Sequence, residues 1–408
     1  MSIYPKKDME QQALNEPEKQ RIHWVDYLRS LNIIATVIFH SFLAYSPVLK
    51  NQDLDLVSSF PLVDPITSLR IADLLLILRP LFSMPLMFYL SGLFVWRGIE
   101  RRGLPGYLQY RFMRLVIPLI LAGLIVMPLT YMPMAILGNG GAFPNTAKEI
   151  IPIIFSVVYK LGHLWFLWVL FVFDCIALII YKTMKTWLES KLIFIDNRAV
   201  YSVLVIVVLT VYELMADIGG QWGWVRIGLF DIPASRIGLY FVYFLLGVIM
   251  GSQALSEDAK QFNVFCILAS GRPAINVGVS AFLASASLLY MQFNFQKVAA
   301  LLGADPAKIL CNGLYALSGL LLTISVILIA KKHLASERKW LNLLNMDSYG
   351  IYVTHYLFVA WIQYLLVYNA MPGGCKPLLA AVFSILLSWL TSAGIRRSIG
   401  YLYNLRAA

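Results

Sequence analysis

Charge is scarce in this chain. Asp, Glu, Lys and Arg make up 13% of its 408 residues, while 59% are hydrophobic. An ordinary soluble domain carries about 25% charged residues. A water-solvated globule of this size is therefore excluded, and the surplus apolar surface must face lipid. Cysteine is scarce as well. Cys175, Cys266, Cys311 and Cys375 have no metal-ligand spacing. Three of them lie in apolar segments, where a lone cysteine behaves as a small hydrophobe, so no disulfide, metal site or redox role is expected. No signal peptide is expected either. Residues 1–27 are polar and of mixed charge, and the apolar run that follows is interrupted by Arg29, whereas a signal peptide has a basic start and an uninterrupted apolar core. The first helix is thus expected to stay in the mature protein. There is no internal repeat. Acidic residues are the minority, leaving a net charge of +11. In a soluble protein that would suggest nucleic acid. Here the Lys and Arg sit in short loops between apolar runs, where topology accounts for them, and no nucleic-acid partner is expected.

What is present is a series of apolar runs. A chain inside lipid must satisfy its own backbone, and crossing the hydrocarbon as a helix takes about 20 apolar residues. Ten runs qualify: 28–47, 71–96, 115–137, 163–181, 199–216, 236–254, 274–291, 309–330, 349–368 and 377–395. The sixth has the shortest apolar core, Ile237 to Met250. Ile150–Tyr159 is too short to span and reads as a re-entrant or interfacial helix. The predicted fold is all-α: a polytopic membrane protein of about ten transmembrane helices, with a cytoplasmic segment 1–27, a transmembrane domain 28–395 and a cytoplasmic tail 396–408. No attached soluble domain is expected. Segments 1–29, 97–114, 182–198, 253–273, 331–340 and 396–408 hold 23 Lys and Arg, against 9 in the alternate segments. By the positive-inside rule the first set, with both termini, faces the cytosol.

Several residues are costly where they sit. Arg29, His40, Asp73, Arg79, Asp174, Glu213 and His355 fall inside or at the edges of apolar runs. A charge at the bilayer centre costs about 2.5–3.5 kcal/mol on insertion scales, so such residues line a protein-filled or water-filled interior. The sharpest pattern is Asp26, Arg29 and then His40. Eleven residues at 100° each come within about 20° of three full turns, so Arg29 and His40 share one helix face, roughly 16 Å apart along the axis. Asp26 lies one turn before Arg29 and can pair with it.

This pattern resembles the family-3 membrane acyltransferases, whose first helix carries an Arg, ten residues and a His. Met84-Pro85-Leu86-Met87-Phe88-Tyr89-Leu90-Ser91-Gly92 is similar to the family's second-helix stretch. Arg111-Phe112-Met113-Arg114 is similar to its Arg-x-x-Arg motif, His163-Leu164-Trp165-Phe166-Leu167 to the opening of a central helix, and Tyr349-Gly350-Ile351-Tyr352-Val353-Thr354-His355 to a late Tyr…His stretch. Within the family the short chain looks most like the glucan biosynthesis protein C branch, associated with succinylation of periplasmic glucans. One departure stands out: that branch places its second-helix Arg about one turn nearer the Ser-Gly than Arg79, and Ser83 occupies the nearer position.

The resemblance implies a bacterial-type inner-membrane O-acyltransferase. Its donor would be a cytosolic acyl-CoA, with succinyl-CoA the leading case, used as a substrate and not as a tightly bound cofactor. Its acceptor would be an extracytoplasmic glycan, and its remaining partner membrane lipid. Arg111 and Arg114, with Arg29, would hold CoA phosphates, since guanidinium groups grip phosphate in bidentate fashion. A neutral imidazole suits removal of a hydroxyl proton. His40 is therefore the candidate general base, with an acyl-His intermediate as the variant. Arg79 is the candidate partner of a donor carboxylate. His163 with Trp165 would form an acceptor platform, and Tyr352 and His355 complete the set. Each has a plainer reading: an interfacial aromatic belt for His163 and its tryptophans, an interhelical hydrogen bond for His355 or His40, and positive-inside topology for Arg111 and Arg114. Asp174 and Glu213 read as buried partners of cationic side chains. Two other functions fit the spans: a transporter, which predicts inverted repeats with matching helix breaks, and a non-catalytic membrane subunit, which leaves the Arg29–His40 spacing unexplained.

Overall fold

The structure, a computed structural model, describes residues 22–50, 63–64, 66–138, 146, 148, 151, 161–191, 197–219, 223–227, 230–253, 272–369, 371–372 and 374–407. Nearly all of the run Ile150–Tyr159, Cys266 and residues 1–21 lie outside them. The main helices are α1 (His23–Leu43), α2 (Arg70–Gly92), α3 (Val95–Arg111), α4 (Ile117–Gly138), α5 (Trp165–Lys191), α6 (Asn197–Gly219), α7 (Ala234–Gln253), α8 (Arg272–Phe293), α9 (Phe295–Leu302), α10 (Ala304–His333), α11 (Lys339–Leu366) and α12 (Cys375–Ala407). A π-helical turn, Phe112–Val116, links α3 to α4, and a 3-10 turn, Gly162–Leu164, opens α5. Between α6 and α7 sits a hairpin of β1 (Trp224–Ile227) and β2 (Phe230–Pro233), antiparallel with Trp224 opposite Pro233.

The described part of each apolar run is largely helical, although 71–96 is divided between α2 and α3. Among the described residues seven helical stretches are long and apolar enough to cross a membrane, the longest being Val95–Leu137. The protein is thus an all-α, multi-pass membrane protein. Its outward faces are correspondingly greasy: Ile120, Leu121, Leu124 and Ile125 on α4, Phe282 and Leu283 on α8, and Leu386 and Leu390 on α12 are exposed. In water a surface like this would be an aggregation liability.

Helix α11 begins ten residues before the apolar run at 349. Its polar first half is tied to neighbouring helices by three of its side chains. Asn342 accepts from the Tyr27 hydroxyl at 2.8 Å, Asn345 accepts from Arg29 and Ser30, and Asp347 takes two bonds from Arg396 at 2.9 and 3.0 Å. Lipid offers no hydrophobic drive for helices to associate, so close packing and such bonds hold the helices together. Helices α2 and α7 pack backbone to backbone. A Cβ on Gly247 would lie 2.2 Å from the Tyr89 carbonyl oxygen, and one on Gly92 would lie 2.3 Å from that of Phe244. Beside this seam Phe88 anchors an aromatic cluster with Phe166, Phe173 and Tyr240, at centroid distances of 4.8–5.2 Å.

Candidate active site

The site is built on one helix pair. Helices α1 and α11 run side by side in the same direction, and hydrogen bonds tie them along their length. Tyr27 meets Asn342, Arg29 and Ser30 meet Asn345, His40 meets His355, and Gln363 donates to the backbone carbonyls of His40 and Ser41. The Arg29–His40 spacing on α1 is matched by the Asn345–His355 spacing on α11, ten residues or about 15 Å of helix. Two polar stations therefore sit about three turns apart between the same two helices.

The deep station holds three histidines. His40 Nδ1 lies 3.0 Å from His355 Nε2. His355 Nδ1 faces the carbonyls of Tyr352 at 2.8 Å and Ile351 at 3.2 Å. His163 Nε2 lies 3.0 Å from the same Tyr352 carbonyl, while the Tyr352 hydroxyl donates to the His163 carbonyl. Gly162, with φ of 48°, makes the turn that presents His163; a Cβ there would strike Met127 Cε at 2.7 Å. The ring centroids lie 5.2 Å apart for His40–His355, 4.6 Å for His163–His355 and 6.3 Å for His40–His163, and Tyr356 packs 4.6 Å from His40. His163 and His355 are buried and His40 is half-buried. His163 Nδ1 is buried without a hydrogen-bond partner among the described residues. The interfacial, snorkelling reading of His163 is thereby overturned: its ring points into the protein, at the other two imidazoles. Trp165 differs from the expected sugar platform. It is buried, stacked 5.9 Å from Tyr240 and 6.4 Å from Phe88, in the aromatic cluster.

Arg79 reaches the other side of α1. It donates to the Asn32 carbonyl at 2.7 Å and to the Thr36 hydroxyl at 3.1 Å, and Thr36 lies one turn before His40. Arg79 Nε and Nη1 are buried without partners among the described residues. Arg79 lines a cavity of about 300 Å³ between α1, α2 and α10, walled by Leu31, Ala35, Phe39, Leu75 and Phe82. Asn32 also joins α1 to α2, through the Ser83 carbonyl and hydroxyl.

The shallow station is cationic. Arg29 Nη2 pairs with Asp26 at 3.2 Å, as the sequence spacing predicts, and also reaches Asn345. The Tyr349 hydroxyl, one turn along α11, donates to the Arg114 carbonyl at 2.7 Å, which brings the Arg-x-x-Arg motif to the same stripe. Within the motif the two arginines part. Arg111 pairs with Asp174: its Nη2 donates to Oδ1 at 2.9 Å, and its Nε lies 2.8 Å from Oδ2 while donating to the Tyr107 hydroxyl at 2.9 Å, which in turn donates to Oδ1 at 2.8 Å. That guanidinium is committed to a buried ion pair, as the reading of Asp174 anticipates, and not to an exposed phosphate grip. Arg114 stays exposed, its guanidinium on the Tyr110 hydroxyl and 5.8 Å from that ring, with Arg102 stacked on the ring at 4.0 Å. Asp26 and Asp174 each balance one arginine, so Arg102 and Arg114 leave the mouth with surplus positive charge.

Several contributors escaped the sequence reading. Tyr356, Gln363, Asn32, Thr36, Asn345 and Tyr110 are uncharged and carry no spacing signal, and only the packing brings them to the site. Among the described residues no group of three or more His, Cys, Asp or Glu, the three histidines included, is placed to hold a metal ion. No curated protein and no solved structure matches the chain. The family-3 acyltransferase model, described as an acyltransferase domain, matches residues 22–393. That stretch takes in both polar stations and nearly every helix, and so the chain belongs to the family-3 acyltransferases, membrane enzymes that transfer acyl groups other than aminoacyl groups.

Proposed function

We propose that the protein takes an acyl group from cytosolic acyl-CoA and places it on a hydroxyl of an extracytoplasmic glycan, from the inner membrane of a bacterial-type cell, with ten helices crossing and both termini in the cytosol. The observation that carries this reading is the imidazole of His40, held between helices about three turns from the cationic mouth at Arg29, Arg102 and Arg114. A CoA phosphate suits exposed guanidiniums, and Tyr110 adds an aromatic face beside them. The extended pantetheine arm would bridge the two stations. At His40 the acceptor hydroxyl loses its proton to the imidazole as its oxygen bonds the thioester carbon. The carbon–sulfur bond then breaks, and the departing thiolate takes up that proton. His163 and Tyr352 sit beside His40 and are the proposed acceptor-side contacts, with Trp165 as backing.

The leading acyl group is succinyl, and the leading acceptor a periplasmic glucan. Support for a carboxylate-bearing donor comes from Arg79, a buried cation with two nitrogens unpartnered among the described residues, next to an apolar cavity and one helical turn from His40. Unused buried donors of this kind call for an anion. Replacing Arg79 with methionine should impair succinyl transfer selectively over acetyl transfer; equal loss on both would remove this role.

The direct test uses purified, folded protein with acyl-CoA and a glucan acceptor, following release of free thiol together with the mass added to the glucan. His40→Ala should abolish both signals. Full activity in that variant would refute the assignment, and thiol release that never depends on any acceptor would remove the glycan.

A further inference from the structure

We infer that His355 is a positioning residue that fixes the tautomer of His40, so that Nε2 of His40 is the nitrogen carrying the free lone pair. The inference rests on the reading of His40 as the base, and it follows from which groups can only accept. A backbone carbonyl has no proton to give. His355 Nδ1 faces two of them, from Tyr352 and Ile351, so in the neutral ring it must carry the hydrogen. His355 Nε2 is then bare and can only accept. Its neighbour at 3.0 Å is His40 Nδ1, which must therefore be the donor. A neutral His40 has one N–H; with that hydrogen on Nδ1, Nε2 is left as the base. The ring orientation is fixed as well, because Gln363 pins the carbonyl end of the same turn and Tyr356 packs on the His40 ring.

The same reasoning runs through His163. Its Nε2 faces the Tyr352 carbonyl and must carry the hydrogen, so the buried, unpartnered Nδ1 is bare. The Tyr352 carbonyl is thus the common reference from which two rings take their tautomers directly, and a third at one remove. In a Ser-His-Asp triad a carboxylate performs the orienting task. Here a neutral imidazole does so, which lets the ring be held without a second charge in the membrane interior, where charge is costly.

The tautomer can be read without turnover. The chain has only five histidines. Full-length protein labelled with ¹⁵N-histidine, in detergent micelles or nanodiscs, gives long-range ¹H–¹⁵N correlations that separate Nδ1–H from Nε2–H rings, and His40→Asn assigns the His40 signal. The expected result is a neutral His40 with hydrogen on Nδ1. Finding it on Nε2, or on both nitrogens at neutral pH, overturns the inference. For kinetics, His355→Gln keeps an acceptor oxygen towards His40 and His355→Met removes it. The methionine variant should lose about 100-fold in kcat, within the range of aligned general-base catalysis, with KM for acyl-CoA nearly unchanged. The glutamine variant should recover most of the rate and the Nδ1–H signature. Equal loss in both, with His40 still Nδ1–H in both, would show that His355 does not act through the tautomer. An Nδ1–H ring in an enzyme whose His40→Ala variant keeps full activity would preserve the hydrogen-bond relay and discard the catalytic reading.

Discussion

Replacing Asp174 with leucine removes the counter-ion of Arg111, and the structure lets the consequences be worked out. The carboxylate is buried: its Oδ1 accepts from Arg111 Nη2 at 2.9 Å and from the Tyr107 hydroxyl at 2.8 Å, and its Oδ2 lies 2.8 Å from Arg111 Nε in an ion pair. Breaking a buried pair by deleting one partner costs about 3–5 kcal/mol, because the remaining charge stays desolvated. The Tyr107 hydroxyl keeps the bond it accepts from Arg111 Nε at 2.9 Å, but its own O–H loses its acceptor, which adds about 1–3 kcal/mol. Replacing the whole group with apolar side chains, Arg111→Met, Asp174→Leu and Tyr107→Phe together, should restore stability to near the starting value or above it, since swapping a buried ion pair for packed hydrophobes is often neutral or better. Thermal unfolding of the detergent-solubilised protein measures the first part. The second part is functional: if Arg111 serves the α3–α5 contact and not the donor, the triple variant should keep its KM for acyl-CoA. A triple variant as unstable as Asp174→Leu alone would refute the energetic argument. A stable triple variant whose KM rises as far as that of Arg114→Ala would show Arg111 to be a phosphate ligand after all.

Arg114→Ala should raise the KM for acyl-CoA by about 10- to 100-fold with kcat little changed, the loss of one charge-assisted bond; initial rates across donor concentrations decide it. Gly247→Val should lower thermal stability sharply, because its Cβ would overlap the Tyr89 carbonyl at the α2–α7 seam. Gly278→Ala on α8 is the control: nothing lies within 4 Å of its Cβ, so the same unfolding assay should show no loss and at most about 1 kcal/mol of gain from helix propensity.

Much of the site was legible in the chain, and the reason differs from residue to residue. Arg29 and His40 are charged or ionisable groups in an apolar run, and one helix period places them on one face, so their partnership needs no tertiary information. The Asp26–Arg29 pair follows from the same period. Arg111 was legible as a motif residue but not in its contact, because the carboxylate it meets lies 63 positions away on α5. His163 was ambiguous for a similar reason: a histidine at the edge of an apolar run can face water or protein, and only the turn at Gly162 decides which. The apolar run marks α11 only from 349; its helical start at Lys339 carries no hydropathy signal, because Asn342, Asn345 and Asp347 find their partners only in the tertiary packing.

By itself the sequence determined the solvent of this protein and the axial order of its chemistry. Hydropathy follows from composition, and position along a helix follows from counting residues. What the tertiary structure alone decided is which helices touch. The parallel pairing of α1 with α11, some 315 residues apart, is set by packing and by hydrogen bonds that have no local signature. That pairing turns an isolated histidine on α1 into a ring whose hydrogen is assigned by a backbone carbonyl on another helix.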